Sequence, residues 1–219
     1  MVNLGDIFPN FTADTTLGKL VFHEWLGDSW GILFSHPADF TPVCTTELAH
    51  VIDLVPQFEE RGIKVIALSC DNVSCHNGWV KDVREYSCTK GDFPYPIIAD
   101  EKRELAVQLG MVDPVEKDKE GLPLTCRAVF IIGPDKTLKL SMLYPATTGR
   151  NFDEILRVID SLKLTAEKRV ATPANWKKGG DCMVLPTVAP SEIPLLFPKG
   201  VRIHPLPSEK EYLRFTPQP

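Results

Sequence analysis

The sequence has little that would direct the chain into a membrane or onto a nucleic acid. Its 219 residues carry a net charge of −5, so no basic excess favours a polyanionic partner. No run approaches the roughly 20 apolar residues that cross a bilayer. The segment Met1 to Asp6 has neither the basic nor the apolar region of a secretory signal. We therefore expect a globular cytoplasmic protein that does not bind nucleic acid.

The cysteines do not follow the patterns of a disulfide framework or of a zinc site. Six are present, with no CxxC pair and no dense, regular spacing: Cys44, Cys70, Cys75, Cys88, Cys126 and Cys182. Reduced thiols in a cytosolic protein are the expected state. The spacing of zinc ligands is not found in Cys70, Cys75, His76 and Cys88, so we expect no metal.

What is present is an alternation of strand-like and helix-like segments. Short apolar runs predict buried strands, helical periodicity predicts the segments between them, and Gly133-Pro134 predicts a hairpin turn. The predicted strands are 30–36, 64–69, 96–99, 128–132 and 138–144, and the predicted helices are 42–61, 74–86, 101–109 and 151–162. This order predicts a three-layer α/β sandwich with a mixed central sheet in residues 1–164. Proline then becomes frequent, and we expect residues 165–219 to form an ordered extension.

The most informative segment joins the first predicted strand to the helix that follows it. Pro42 suits the first position of a helix, because its missing N–H would have no helical partner there. Cys44 then lies in the first turn, where backbone N–H groups and the helix dipole favour a thiolate. An isolated cysteine is more often a buried, inert thiol, so the surrounding residues decide between these interpretations.

Those residues suit the reduction of a peroxide. Such a reaction needs a thiolate, a group that polarises the O–O bond and a charge that stabilises the departing oxygen. Cys44 would supply the thiolate, and Arg127 would be the fixed cation. The Thr41 hydroxyl would bond a peroxide oxygen or donate to the thiolate. Pro37 would shield the thiol from water.

The pattern Pro37, Thr41 and Cys44 resembles the PxxxTxxC motif of the peroxiredoxin family. The resemblance is closest to the one-cysteine subgroup, of the peroxiredoxin 6 type, and is carried by residues 28–37, 41–48, 144–154 and 164–173. It implies a thioredoxin-like fold and a peroxidatic Cys44 that is oxidised to a sulfenic acid. It also implies that Glu47 orients Arg127. His36 would lie beside the thiol, although core hydrogen bonds could equally account for it.

The resemblance bears on the reductant as well. Two-cysteine relatives carry a resolving cysteine where this chain has Thr172, so an external thiol is expected to finish the cycle. Glutathione is implied, with a glutathione transferase as the partner that delivers it, while thioredoxin or another small thiol stays open as the reductant. The substrates would be hydrogen peroxide and organic or phospholipid hydroperoxides, with no bound cofactor. The extension would pack on a second subunit in a homodimer.

A second chemistry is suggested by Gly27-Asp28-Ser29-Trp30-Gly31, which fits the GxSxG pattern of serine hydrolases. The resemblance implies a phospholipase A2 site made of Ser29, His23 and Asp135. From the residues alone, the pattern is a turn that enters a strand, and Asp135 suits a hairpin turn. Two other functions stay open: a lipid hydrolase whose thiol is secondary, and a redox sensor or holdase with little turnover.

Overall fold

The computed structural model describes residues 2–88 and 90–219 of the chain. It divides into two compact units, the first extending to Arg150 and the second spanning Asn151–Pro219. Within the described residues, no helix combines the length and the apolar character that crossing a membrane requires. The two units are described separately below.

The N-terminal unit is built on a seven-stranded mixed sheet with the strand order β2-β1-β5-β4-β3-β8-β9. Strands β3, β4 and β5 are parallel, and β8 runs antiparallel to β3. The elements are β1 (Thr12–Thr15), β2 (Gly18–Val21), α1 (Phe22–Leu26), β3 (Trp30–Ser35), α2 (Pro42–Glu60), β4 (Ile63–Ser69), α3 (Val73–Tyr86), β5 (Ile97–Ala99), α4 (Glu104–Gln108), β6 (Val112–Lys117), β7 (Pro123–Thr125), β8 (Arg127–Ile132) and β9 (Leu138–Tyr144). Strands β6 and β7 form a separate hairpin.

The central strands are apolar throughout because both faces of the sheet are covered. Leu33 and Phe130 point to one face, where they share a core with Phe22 of α1 and Leu105 of α4. Phe34 points to the other face and packs edge-on against Tyr95, whose hydroxyl donates to the Leu48 carbonyl of α2. These two covered faces confirm the predicted three-layer α/β sandwich.

Local sequence explains where the helices begin and end. Helix α2 begins at Pro42 as predicted, and Asn72 caps α3 by accepting the backbone N–H of Cys75. The fourth helix is shorter than predicted and begins only at Glu104. The carboxylate of Asp100 accepts the N–H groups of Leu105 and Ala106, so residues 101–103 form a turn before the helix.

The C-terminal unit is ordered, as the sequence predicted, and has a small core of its own. Its elements are α5 (Phe152–Glu167), β10 (Val170–Ala171), β11 (Cys182–Val184), a 3₁₀ turn (Pro190–Glu192), α6 (Ile193–Leu196), β12 (Arg202–Ile203) and β13 (Arg214–Thr216). The four strands form a sheet in the order β10-β11-β13-β12. Trp176 and Phe197 are buried in this core. The boundary between the two units lies at Arg150, before α5, whereas the sequence suggested a division after residue 164. Helix α5 belongs to the C-terminal unit because it packs with β10.

Candidate active site

Cys44 lies in the first turn of α2, as the sequence predicted. Thr41 is the extended N-cap residue and Pro42 occupies the first helical position, so Cys44 is two residues further along. The first turn contains no acidic residue, and the Cys44 side chain is completely buried. Free N–H groups and the positive end of the helix dipole therefore face an anion here without competition from a carboxylate.

Arg127 brings a cation to this thiol from the first position of β8. Its Nη1 donates to the Cys44 sulfur at 3.4 Å and to Glu47 Oε2 at 2.7 Å. Its Nε and Nη2 both donate to the Ala146 carbonyl, at 2.9 and 2.6 Å. The guanidinium is thus held from three sides, and its hydrogen bonds join Cys44, Arg127 and Glu47 in one network.

Arg150 is part of the same network and was missed in the sequence analysis. It donates to Glu47 Oε1 through its backbone N–H at 2.6 Å and to Oε2 through Nη2 at 2.8 Å. Its Nη1 donates to the Ala128 carbonyl, and its guanidinium lies 5.2 Å from the centre of the Phe34 ring. Glu47 is therefore a buried carboxylate between two arginines. Arg150 lies in a segment that matches the family, but nothing in the sequence pairs it with Glu47.

The other two members of the motif lie in the β3–α2 loop, residues 36–41. Pro37 is buried, and the Thr41 hydroxyl donates to the Ala38 carbonyl at 2.8 Å. That bond uses the hydroxyl proton, so the lone pairs of the Thr41 oxygen are left to accept a hydrogen bond from a substrate. Contact of either side chain with a peroxide stays a prediction.

Comparison with known proteins agrees with this geometry. The AhpC/TSA family matches residues 4–141, and the C-terminal domain of 1-Cys peroxiredoxin matches residues 161–193. Peroxiredoxin-6 of Homo sapiens is 62% identical over 218 residues, which cover 99% of this chain and 97% of the human one. The chain belongs to the peroxiredoxin family.

Two solved structures extend the similarity to three dimensions. A cysteine-to-serine mutant of the peroxiredoxin 6 of Arenicola marina is 66% identical, with a TM-score of 0.98 over 100% of this chain and 99% of that one. A yeast mitochondrial 1-Cys peroxiredoxin, studied for thiol resolution via the glutathione and thioredoxin systems, is 43% identical, with a TM-score of 0.89 over 99% and 100%. This peroxiredoxin is accordingly a thiol-dependent peroxidase of the one-cysteine type with a thioredoxin-like fold.

His36 is engaged in core hydrogen bonds in this peroxiredoxin. Its ring is fully buried, its Nε2 lies 2.8 Å from Asp39 Oδ1, and its centre lies 5.0 Å from that of the Trp79 ring at a tilt of 35°. These contacts match the alternative considered from the sequence. A direct role of His36 beside the thiol stays a prediction.

Four of the five remaining cysteines are poor nucleophiles. Burial raises the pKa of both Cys70 and Cys126 to about 11. For Cys75, burial and the nearby Asp39 and Asp71 carboxylates raise the pKa to about 12. Burial also raises the pKa of Cys182. These four thiols therefore stay protonated near neutral pH. Because only a thiolate attacks a sulfenic acid efficiently, they are poorly suited to resolve an oxidised Cys44.

Two residues of the suggested lipid site, His23 and Asp135, have other hydrogen-bond partners. His23 Nε2 lies 2.7 Å from the Phe8 carbonyl, and Asp135 binds Thr137 and Lys139 within its hairpin turn. Ser29 precedes β3 instead of following a strand, so the strand–turn–helix of a nucleophile elbow is not formed. In the part of the chain that the structure describes, no hydrogen bond joins Ser29, His23 and Asp135 to one another. Lipid hydrolysis stays a prediction.

Replacing Glu47 with glutamine tests the buried carboxylate. Burial would raise the pKa of Glu47, but Arg150 and Arg127 outweigh it and lower the pKa below its usual value. The carboxylate thus stabilises the fold above the pKa of an unfolded glutamate, about 4.3, and this contribution is lost as the pH falls through the lower folded value. We expect Glu47→Gln to reduce the free energy of unfolding at pH 7 by about 3 kcal/mol. The variant is also expected to lose less of its remaining stability than the wild type as the pH falls.

Chemical denaturation at a series of pH values measures this. Glu154→Gln is the control, because Glu154 also pairs with an arginine but is 39% exposed. Its expected effect is below about 1 kcal/mol. Equal losses of stability in the two variants would contradict a special role for the buried network.

Proposed function

We propose that this peroxiredoxin reduces hydrogen peroxide and organic hydroperoxides with Cys44 as the attacking thiolate. The observation that carries the proposal is the contact of Arg127 Nη1 with the Cys44 sulfur at 3.4 Å, at the start of α2. A fixed guanidinium and a helix N-terminus at one buried sulfur stabilise an anion there. An inert core thiol needs neither.

The first half of the cycle oxidises Cys44. The thiolate attacks the terminal oxygen of the hydroperoxide, a sulfur–oxygen bond forms, and the O–O bond breaks. The departing alkoxide or hydroxide takes a proton, so the products are the Cys44 sulfenic acid and an alcohol or water. Arg127 faces the charge that develops on the oxygens, and the Thr41 oxygen accepts a hydrogen bond from the bound hydroperoxide.

The second half uses two external thiols. One condenses with the sulfenic acid to form a mixed disulfide and water, and the second releases Cys44 as a thiol and leaves with the first as a disulfide. Thr172 stands where a resolving cysteine would be, and the raised pKa values of Cys70, Cys75 and Cys126 disfavour internal attack. We propose glutathione as the reductant, on the support of the yeast relative's glutathione and thioredoxin systems.

The partners belong to the same proposal. We infer delivery of glutathione by a glutathione transferase, phospholipid hydroperoxides among the substrates, a cytoplasmic location and a homodimer. Trp176 and Phe197 do not contribute to such a subunit interface, because they are buried within the C-terminal unit itself. Leu195 and Tyr212, at 85% and 59% exposure, remain available to a second subunit.

A variant that keeps only Cys44 tests the one-cysteine cycle. Alanine replaces Cys70, Cys75, Cys88, Cys126 and Cys182, and the turnover of hydrogen peroxide is measured with glutathione plus a glutathione transferase and, separately, with thioredoxin and its reductase. We expect the turnover with glutathione to stay within about twofold of the wild type, because no other thiol takes part. A loss of turnover together with an intrachain disulfide in the oxidised wild type, seen by mass spectrometry, would contradict the scheme. If hydrogen peroxide were turned over with thioredoxin and its reductase but not with glutathione, thioredoxin would be the reductant.

A further inference from the structure

The hydroxyl of Thr45, the residue after Cys44, has a hydrogen-bond partner on each side. Its Oγ1 donates to the Thr41 carbonyl at 2.8 Å and accepts a hydrogen bond from Nε1 of Trp79, on α3, at 3.1 Å. A hydroxyl carries one proton, so this proton and a lone pair of Thr45 are both in use. The two bonds join helix α3 to the residue that precedes helix α2.

Helix stability does not explain the bond to Thr41. The Thr41 carbonyl already accepts the backbone N–H of Thr45 at 3.0 Å, which is the first bond of the helix. A second donor from a threonine hydroxyl competes with this bond and slightly destabilises a helix. The second bond instead holds Thr41, whose own hydroxyl donates to the Ala38 carbonyl at 2.8 Å. The backbone and the side chain of Thr41 are therefore each held by a neighbour.

Trp79 is a rigid support for Thr45. Its side chain has 0% exposure, and a buried indole N–H requires an acceptor, which Thr45 provides. Its helix is joined to the β3–α2 loop at a second point, because His76 Nδ1 lies 2.7 Å from Asp39 Oδ2. The place of the Thr45 hydroxyl is thus set from the core of the N-terminal unit, and not by its own helix alone.

The position of Thr41 matters for the reaction proposed above. There, the Thr41 oxygen accepts a hydrogen bond from the hydroperoxide, so its place sets the direction from which the O–O bond meets the sulfur. A displacement of about 1 Å at such a contact can slow a reaction by about a hundredfold. Arg127 is held by Glu47 and Ala146, and none of these bonds involves Thr45. The charge at the sulfur and the position of the substrate are therefore held by different side chains.

We propose that Thr45 is a positioning residue, held by Trp79, that fixes Thr41 for the attack on a hydroperoxide. Thr45 does not touch the substrate and acts only through Thr41. This inference rests on the peroxidase reaction proposed above. It predicts that removal of the Thr45 hydroxyl slows the oxidation of Cys44 at every pH, because the substrate is misplaced while the cation at the sulfur stays in place.

Two substitutions of Thr45 separate the hydroxyl from the shape of the side chain. Thr45→Val keeps the branched shape and removes both hydrogen bonds, whereas Thr45→Ser keeps the hydroxyl. Thr46→Val is the matched control, because the exposed Thr46 hydroxyl also donates to a carbonyl near the start of α2, that of Val43, at 2.9 Å. Rapid quenching followed by mass spectrometry gives the rate constant for conversion of Cys44 to its sulfenic acid by hydrogen peroxide.

For Thr45→Val we expect oxidation about tenfold slower than in the wild type. Thr45→Ser and Thr46→Val are expected to lie within about twofold of the wild type. The pH at which the rate constant reaches half of its maximum is expected to be unchanged in Thr45→Val, because Arg127 keeps its contact with the sulfur. A valine variant of Thr45 as fast as the wild type, a serine variant as slow as valine, or a shifted pH profile would overturn the proposal.

A double variant separates positioning from stability. Thr45→Val leaves the buried Trp79 N–H without this acceptor and is expected to lower the melting temperature. Adding Trp79→Phe removes the donor, so the melting temperature is expected to return part of the way while oxidation stays about tenfold slow. An oxidation rate that recovered together with stability would overturn the proposal. A wild-type enzyme that does not react with hydrogen peroxide would instead refute the proposed function, and this inference with it.

Discussion

Replacing Cys44 with serine is expected to lower the rate of hydroperoxide reduction by a factor on the order of a thousand or more. A serine hydroxyl stays protonated near neutral pH, so the group that faces Arg127 would no longer be an anion able to attack oxygen. The fold is expected to survive, because the two side chains differ by one atom. Consumption of hydrogen peroxide with glutathione and a glutathione transferase measures the activity, and thermal unfolding checks the fold.

Cys182→Ser is the matched control for this experiment. Cys182 is also 0% exposed, but burial raises its pKa and its sulfur donates to the Gly180 carbonyl at 3.7 Å within the C-terminal unit. Its substitution is expected to leave turnover within about twofold of the wild type. Full activity in Cys44→Ser would refute the assignment of the thiolate. If Ser29→Ala then abolished the main activity, the lipid hydrolase would become the better interpretation.

Replacing Arg127 with glutamine is expected to slow the oxidation of Cys44 by about a hundredfold. The substitution removes the cation 3.4 Å from the sulfur, and with it the charge that stabilises both the thiolate and the developing oxygen anion. Arg127→Lys keeps the charge but cannot bind Cys44, Glu47 and Ala146 at once, so we expect a smaller loss. The measurement is the second-order rate constant for oxidation by hydrogen peroxide.

Arg214→Gln separates this effect from the general cost of losing a buried arginine. Arg214 is 9% exposed and donates to the carbonyls of Val188 and Leu185, much as Arg127 donates to Ala146. Its substitution is expected to lower the stability of the C-terminal unit and to leave the oxidation rate unchanged. Equal slowing in both variants would mean that Arg127 acts only through stability.

Much of the N-terminal unit could be predicted because its central strands are strongly apolar. The segments that became β3, β4, β8 and β9 and the long helix α2 were all identified, since buried elements leave clear periodic patterns. Strands β1, β2, β6 and β7 were not predicted. Their residues are mostly exposed or half-buried, so they show no regular alternation, and their pairing depends on neighbours elsewhere in the fold.

The contacts of the site divide in the same way. Pro42 and Cys44 are neighbours in the chain, and the start of a helix is a local event, so the position of the thiol followed from the sequence. The partners of Glu47 and Asp39 could not be predicted from the sequence, because Arg150 and His76 approach them only through the packing of distant elements. Sequence order gives the spacing of residues along an element but not which elements meet.

The sequence by itself determined that this chain carries a thiol at a helix start within a peroxiredoxin motif, because a few adjacent residues set that local geometry. Only the tertiary structure decided that Arg127, 83 residues from Cys44, reaches its sulfur. The antiparallel register of β8 against β3 sets the place of Arg127 in the sheet. The same packing buries the Cys44 side chain completely, because burial depends on elements that are distant in the sequence.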